Sequence, residues 1–397
     1  MSRFATFSGS TDPSRQEFTT GLPVTRICLD NFRRNWLFLA SLARDLPPMG
    51  VIKSDAYGHG IEPLAHVLLD AGCRTLAVGS TQEGVLLRHL LSGKSEGITI
   101  LPLLGVLSPE DAAASIEHKL FPLVATADQA AFVNAAWSGP EPLPIVVKVE
   151  TGMARLGFRG NDLRECIASL YAFTNLRPAM LLSHLATADI PAKDDAVASQ
   201  VVQFLDAYEA MRKFWPDIAL SLANSAALLA QDLHLSALPP HVARPGFSLY
   251  GGNPFVGTDR ESLGSALLPV MEAAAPIMGV QNLAKGQSVG YGHTFTAEKD
   301  MRIAIVGAGY SDGFSRSLSG KGHVCIRGER CPILGRVCMQ MHIVAVDHVP
   351  DAASGDVAYL LGGEGSGAIS MNDLAATWGT IPHEFFTLFG KNRRVYR

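Results

Sequence analysis

Eight short apolar runs, each followed by a stretch with helical spacing, most restrict the fold open to this 397-residue chain. The runs are Met49–Lys53, Thr75–Gly79, Ile98–Leu104, Phe121–Ala125, Leu143–Val149, Ala179–Leu182, Ala219–Ala223 and Val242–Arg244. Between them, Ile61–Ala71, Thr81–Leu91, Ser108–His118, Thr126–Ala136, Asn161–Phe173, Asp194–Phe214 and Ser225–Ala230 read as helices. A strand apolar on both faces must be covered on both sides, which alternating helices achieve around a parallel sheet. Eight such units within roughly 250 residues predict a closed (β/α)8 barrel of the TIM type, with an open doubly wound sheet as the alternative.

Ahead of the barrel rhythm, Thr25–Leu29 is a short β-like run. A helix follows, with Phe32, Trp36, Leu39 and Leu42 on one stripe. From Pro269 the pattern changes. β-like runs at Met271–Val280, Gln287–Tyr291, Met301–Val306, His323–Ile326, Pro332–Leu334, His342–Val346 and Val357–Leu361 are parted by Gly, Asp and Pro turns, with no helix between. Two helices end the chain, one with a capping-box-like start at Ser370 and one over Pro382–Phe389. The expected division is a loose arm over 1–20, the barrel over 21–265 and a mostly β domain over 266–397.

Composition narrows the function classes. A formal charge of −4 and 47% hydrophobic residues describe an ordinary soluble protein without the basic excess that nucleic acid or an anionic membrane attracts. No apolar run reaches the ~18 residues of a membrane span. The six cysteines are scattered without a CxxC, so reduced thiols in a cytoplasmic protein are expected, and no metal site.

Barrel active sites lie at the carboxyl ends of the strands. Here those ends carry Lys53, Lys148 with Arg155, His184, Asn224-Ser225, and Arg244 with Gly246. Four cations on one rim suit an anionic ligand, and loops after strands seven and eight are common phosphate cradles. Each residue has a plainer reading: Lys53 as a snorkelling surface lysine, His184 as a core histidine, Asn224-Ser225 as a helix cap, Arg244 in a rim salt bridge, Gly246 as a turn glycine. Taken together they favour a phosphate-bearing aldehyde cofactor. A lysine at a strand end can lose its proton by desolvation and form a Schiff base with such a group.

Val51-Ile52-Lys53-Ser54-Asp55-Ala56-Tyr57-Gly58-His59-Gly60 resembles the pyridoxal-phosphate attachment signature of the alanine racemase family. Lys148–Gly157, Asn224-Ser225, Arg244-Pro245-Gly246, Gly290-Tyr291-Gly292, Gly309–Gly313 and Gly335–Met339 resemble further family segments, in order and across both domains. The resemblance implies a racemase that interconverts L- and D-alanine with two bases on opposite faces, Lys53 and Tyr291. Tyr57, Asn224, Ser225, Gly246 and Phe247 would contact the phosphate of pyridoxal 5'-phosphate. Arg244 would face the pyridine nitrogen, supported by His184. Arg155 would bind cofactor and substrate carboxylate, oriented by a carbamylated Lys148, and Tyr310 and Met339 would line the substrate site. The resemblance also implies a homodimer whose partner subunit supplies Tyr291, Tyr310 and Met339.

Three positions depart from the family pattern: Gln340, His383 and Gly390, the last where many members carry a tyrosine that narrows the entrance. A racemase of wider preference, for example toward serine, is therefore the alternative. A related decarboxylase and a non-catalytic cofactor carrier are the other readings. An arginine facing the ring nitrogen weighs against the first, and the second domain with Tyr291 against the second.

Overall fold

The computed structural model describes residues 22–43, 46–94, 96–231 and 235–397; the arm expected over 1–20 lies outside them. The chain divides into two units. One is Leu29–Val270, and the other is Met271–Arg397 with the described residues up to Cys28.

The first unit contains the expected rhythm. Its strands are β2 (Gly50–Val51), β3 (Thr75–Val78), β4 (Thr99–Pro102), β5 (Leu123–Val124), β6 (Leu143–Lys148), β7 (Leu176–Leu182) and β8 (Ala219–Ser221). Each ladder between them is parallel. The gap between β4 and β5 is bridged by Phe121 N–H donating to the Ile100 carbonyl at 2.8 Å. The eighth run, Val242–Arg244, is not a regular strand; Pro239, Pro240 and Pro245, which flank it, lack ladder donors. It still closes the ring: Val242 N–H donates to Leu220 O, and Met49 N–H to Ala243 O, each at 2.8 Å. The sheet is therefore a closed barrel, not an open doubly wound sheet. Its interior is filled by Met49, Leu101, Leu123, Ala125, Val146, Met180 and Leu182, one or two from each of five strand regions.

Helices α1 (Leu29–Leu42), α2 (Ile61–Asp70), α3 (Thr81–Leu90), α4 (Pro109–Glu117), α5 (Ala127–Ala136), α6 (Gly160–Ala172), α7 (Asp194–Met211) and α8 (Ser225–Leu229) belong to this unit. Four start on side-chain caps that the sequence spells out. Ser80, Ser108, Thr126 and Asn224 each accept the N–H three residues on. On α1, Phe32, Trp36 and Leu39 are buried, as their spacing predicts. Asn35 is buried beside them. Its amide donates to the carbonyls of Leu249 and Leu268, and its oxygen accepts the Leu268 N–H at 2.8 Å.

In the second unit, β9 (Met271–Leu283), β12 (Met301–Val306), β13 (His323–Ile326), β14 (Glu329–Leu334), β15 (His342–Ala345) and β16 (Val357–Leu361) form an antiparallel ring. The long β9 closes it, pairing β12 through its second half and β16 through its first. A small hairpin joins β10 (Ser288–Val289) to β11 (Phe295–Thr296), and helices α9 (Met371–Trp378) and α10 (Pro382–Phe389) follow the ring.

One assignment changes. The run at Thr25–Leu29 falls within the span read as barrel, but β1 (Val24–Ile27) pairs with β9 on one side and with β17 (Arg393–Tyr396) on the other. Its partners lie at the far end of the chain, and nothing local in sequence marks such a pairing.

Candidate active site

Lys53 ends the first barrel strand, and the backbone after it turns the uncommon way. Ser54, Asp55, Ala56 and Tyr57 have φ of 53–54°, four consecutive non-glycine residues in the left-handed region. Each costs roughly 1–2 kcal/mol there, so neighbouring groups must hold the turn. Ala56 N–H donates to Ile52 O at 3.0 Å, Gly60 N–H to Asp55 O at 2.9 Å, and Ile61 N–H to the Asp55 carboxylate at 2.8 Å. The His59 ring bonds the carbonyls of Ala56 and Tyr57 through Nδ1. Two more residues set the turn's far side. Tyr57 stacks on Tyr250 with ring centres 4.6 Å apart, and Tyr250 anchors itself by donating to the Val51 carbonyl at 3.0 Å.

Above Tyr57 lies the loop of the eighth run. A Cβ added to Gly246 would stand 2.6 Å from the Tyr57 hydroxyl oxygen, so only glycine lets this loop lie against the phenol. The Ser225 hydroxyl accepts the N–H groups of Gly246 and Ser248 at 3.0 and 3.2 Å. Phe247 begins the turn between them. Tyr57, Ser225 and the Gly246–Ser248 backbone thus surround one polar cradle. Asn224 caps α8, with Oδ1 accepting from Ala227 N–H at 3.0 Å and its amide reaching Leu185 O at 3.4 Å.

Arg244 is buried, and its partners are neutral rather than the salt bridge of the plainer reading. It donates to the Ser221 hydroxyl and the Ser183 carbonyl, each at 2.6 Å, and approaches His184 Nδ1 at 3.4 Å. Arginine only donates, so His184 Nδ1 must accept and the ring proton sits on Nε2. Burial, with Arg244, Arg155 and the two lysines nearby, depresses the His184 pKa to about 3. Burial lowers the Arg244 pKa to about 10.

Lys148 closes the cluster from β6. Burial first, then Arg155, Arg244 and Lys53, lower its amine to about 8. Burial and Arg155 also lower Lys53, against a carboxylate, Glu83, that pulls the other way. Glu150 orders the loop carrying Arg155, its Oε1 accepting the N–H groups of Gly152, Met153 and Ala154. Gln200, buried on α7, ties that loop to the next one: it donates to Thr151 Oγ1 and His184 O and accepts from Ala186 N–H. No motif singled out Glu83, Glu150, Ser183, Gln200 or Ser221. Only the Ser80-x-x-Glu83 spacing gave a signal, that of a capping box.

The remaining expected residues lie in the second unit. Tyr291 follows the β10 hairpin strand between Gly290 and Gly292, whose φ values are 68° and 75°, and is 67% exposed in the single chain. Tyr310 and Met339 are brought together. Tyr310 N–H donates to Cys338 O, and Ser311 N–H to Met339 O, at 3.1 and 2.9 Å. A Cβ on Gly309 would meet the Cys338 carbonyl at 2.2 Å, so glycine permits this approach. Arg336 links the hairpin to this segment, its guanidinium lying against Gly292. Gly390 sits at the end of α10 with φ of −61°.

The rim can hold an anion in the cradle and a carbonyl group at the Lys53 amine. Among the described residues no cluster of metal-binding side chains occurs, and no helix is long and apolar enough to cross a membrane. Comparison with known proteins gives the same direction. The alanine racemase N-terminal domain matches residues 27–254 and the C-terminal domain residues 270–397. An alanine racemase of Lawsonia intracellularis is 43% identical over 92% of this chain and 95% of its own length. One from Nitratidesulfovibrio vulgaris is 44% identical over 94% and 97%. The crystal structure of alanine racemase from Bartonella henselae with covalently bound pyridoxal phosphate superposes with a TM-score of 0.82 at 25% identity, covering 95% of this chain and 99% of that one. With both domains matched in order along the chain, the protein belongs to the alanine racemase family.

Proposed function

We infer that this chain interconverts L-alanine and D-alanine with pyridoxal 5'-phosphate held at Lys53. The observation that carries the reading is the deprotonation-prone Lys53 amine on a rim of Lys148, Arg155 and Arg244, beside the cradle of Tyr57, Ser225 and Gly246. That set fits the group. The amine would hold the aldehyde, and the Tyr57 and Ser225 hydroxyls with the Gly246 and Phe247 N–H groups would hold the phosphate. Asn224 fixes the turn that carries Ser225. When bound, the cofactor delocalises the electron pair left at Cα and so acidifies the Cα proton.

The chain's own residues do the rest. Arg244, a donor only, would face the ring nitrogen and leave it unprotonated, while neutral His184 accepts from the guanidinium. Arg155 takes the substrate carboxylate in a charge-assisted pair. Lysine carbamylation requires a neutral amine, and a pKa of about 8 supplies one on Lys148. The resulting anion would accept from Arg155. Lys53 Nζ moves the proton on one face, and the Tyr291 phenol on the other. The exposure of Tyr291, Tyr310 and Met339 supports their acting on a partner subunit's barrel in a homodimer. The six free thiols fit a cytoplasmic setting.

Incubation with a panel of small and large amino acids, followed by chiral analysis, tests the reading. L- and D-alanine should each drift to a racemic mixture only with pyridoxal phosphate present, and Tyr291→Phe should lose proton exchange from the L side far more than from the D side. Equal losses on both sides overturn the assignment of bases. A wider preference is the second reading, supported by Gly390. Its φ of −61° is open to any residue, so the backbone does not require the bare position. Serine turnover comparable with alanine in the same panel decides for it.

A further inference from the structure

The Ser80-x-x-Glu83 spacing predicts that Glu83 reaches back to the N–H of its own helix cap. The cap itself forms, Ser80 Oγ accepting from Glu83 N–H at 3.2 Å, but the carboxylate goes elsewhere. One oxygen accepts the Ser54 N–H at 2.8 Å, and the other the Gly79 N–H at 2.6 Å. Gly79 makes room for it, since a Cβ there would lie 2.8 Å from Oε2 and 3.6 Å from the Lys53 Cβ. The carboxylate therefore joins the end of β3 to the residue immediately after Lys53, the first of the four left-handed residues.

We propose that Glu83 is a positioning residue for Lys53: its carboxylate clamps Ser54 to Gly79, fixes the left-handed turn that aims the amine, and sets one negative charge against it. The inference rests on Lys53 being the reactive amine. The charge matters because it opposes Arg155 at that amine; the Tyr57 ring lies 5.8 Å from Nζ, and the Asp55 carboxylate accepts the Ile61 N–H. Both Glu83 oxygens are taken by backbone N–H donors, so the carboxylate stays in place. It moderates the loss of the Lys53 proton that burial and Arg155 drive. Geometry and ionisation of the amine are thus held by one side chain that touches neither substrate nor cofactor.

Two variants of the full-length chain separate the parts. Glu83→Gln keeps an acceptor for one N–H and removes the charge; Glu83→Ala removes both acceptors. The cofactor-free protein is labelled over a pH series with an amine-specific reagent, and modification at Lys53 is read by mass spectrometry. Both variants should lower the pH at half-maximal labelling by about half a unit or more. Glu83→Ala should also weaken pyridoxal phosphate binding about tenfold, with a smaller loss in Glu83→Gln. An unchanged labelling midpoint in Glu83→Gln, whatever happens to its melting temperature, overturns the proposal and leaves Glu83 as a structural helix residue. A wild-type chain that takes up no pyridoxal phosphate at Lys53 overturns the function proposed above, and this inference with it.

Discussion

Gly246→Ala tests whether the cradle is built by contact between the loop and the phenol. The glycine has φ of −124°, outside the left-handed region, so the double-mutant cycle is aimed at its packing contact with the phenol. The added Cβ would stand 2.6 Å from the Tyr57 hydroxyl oxygen, 3.4 Å from Cζ and 3.5 Å from the Val51 Cβ. The phenol cannot swing aside easily, because it is buried and stacked on Tyr250, which is itself bonded to Val51. Overpacking of this kind costs about 1–3 kcal/mol. Removing the one offending atom with Tyr57→Phe leaves 3.4 Å as the nearest approach, an ordinary van der Waals distance. In that background Gly246→Ala should cost under ~0.5 kcal/mol, a coupling of about 1–2 kcal/mol. Urea unfolding of the four cofactor-free proteins, with m-values checked for constancy, measures the cycle without any contribution from phosphate binding. Additive effects would refute the reasoning, showing that the loop relaxes independently of Tyr57.

Three further outcomes follow from the same geometry. His184 is depressed to about 3 from an ordinary 6.5. Between those values the unfolded chain binds the proton that the folded chain refuses, so stability falls as pH falls, by up to about 1.4 kcal/mol per unit. Unfolding at several pH values should show a shallower acid dependence in His184→Gln; equal slopes would exclude His184 as a source. A carbamate on Lys148 should give a carbonyl resonance in ¹³C-bicarbonate that Lys148→Gln lacks, and its absence from the wild type would remove that assignment. In a twofold-symmetric dimer with shared sites, mixing inactive Lys53→Ala and Tyr291→Ala chains should restore about a quarter of wild-type activity, through the one intact site of each mixed dimer. If no activity returns on re-association, the two bases do not come from different subunits.

Most of the barrel was legible because its signals are local. Strand runs, cap residues and strand ends are written within a few residues, and so Lys53, Lys148, His184, Asn224 and Arg244 could be placed on one rim before any coordinates. The left-handed turn after Lys53 was not legible. Ser54, Asp55, Ala56 and Tyr57 carry no glycine, and their conformation is held by local bonds to Ile52, His59, Gly60 and Ile61 together with the distant Glu83 and Tyr250, through contacts that no spacing rule marks. The same holds for the groups that steady the site. Ser183, Gln200 and Ser221 act through hydrogen bonds that have no spacing rule, while Glu83 followed a spacing rule and then served a different partner. Asn224 shows the reverse case, where the plain reading as a helix cap was the observed one.

The placement of Val24–Ile27 bears on how the protein is made. During synthesis this strand leaves the ribosome well before its two neighbours, β9 and β17. The nearer of them begins roughly 240 residues later, a delay of some tens of seconds at about 5–20 residues per second. Through that interval the barrel segment can fold while Val24–Ile27 remains unpaired. Completion of the second sheet is then a closing step that joins β1 to β9 and β17, and loss of β1 would leave both of those strands with open edges.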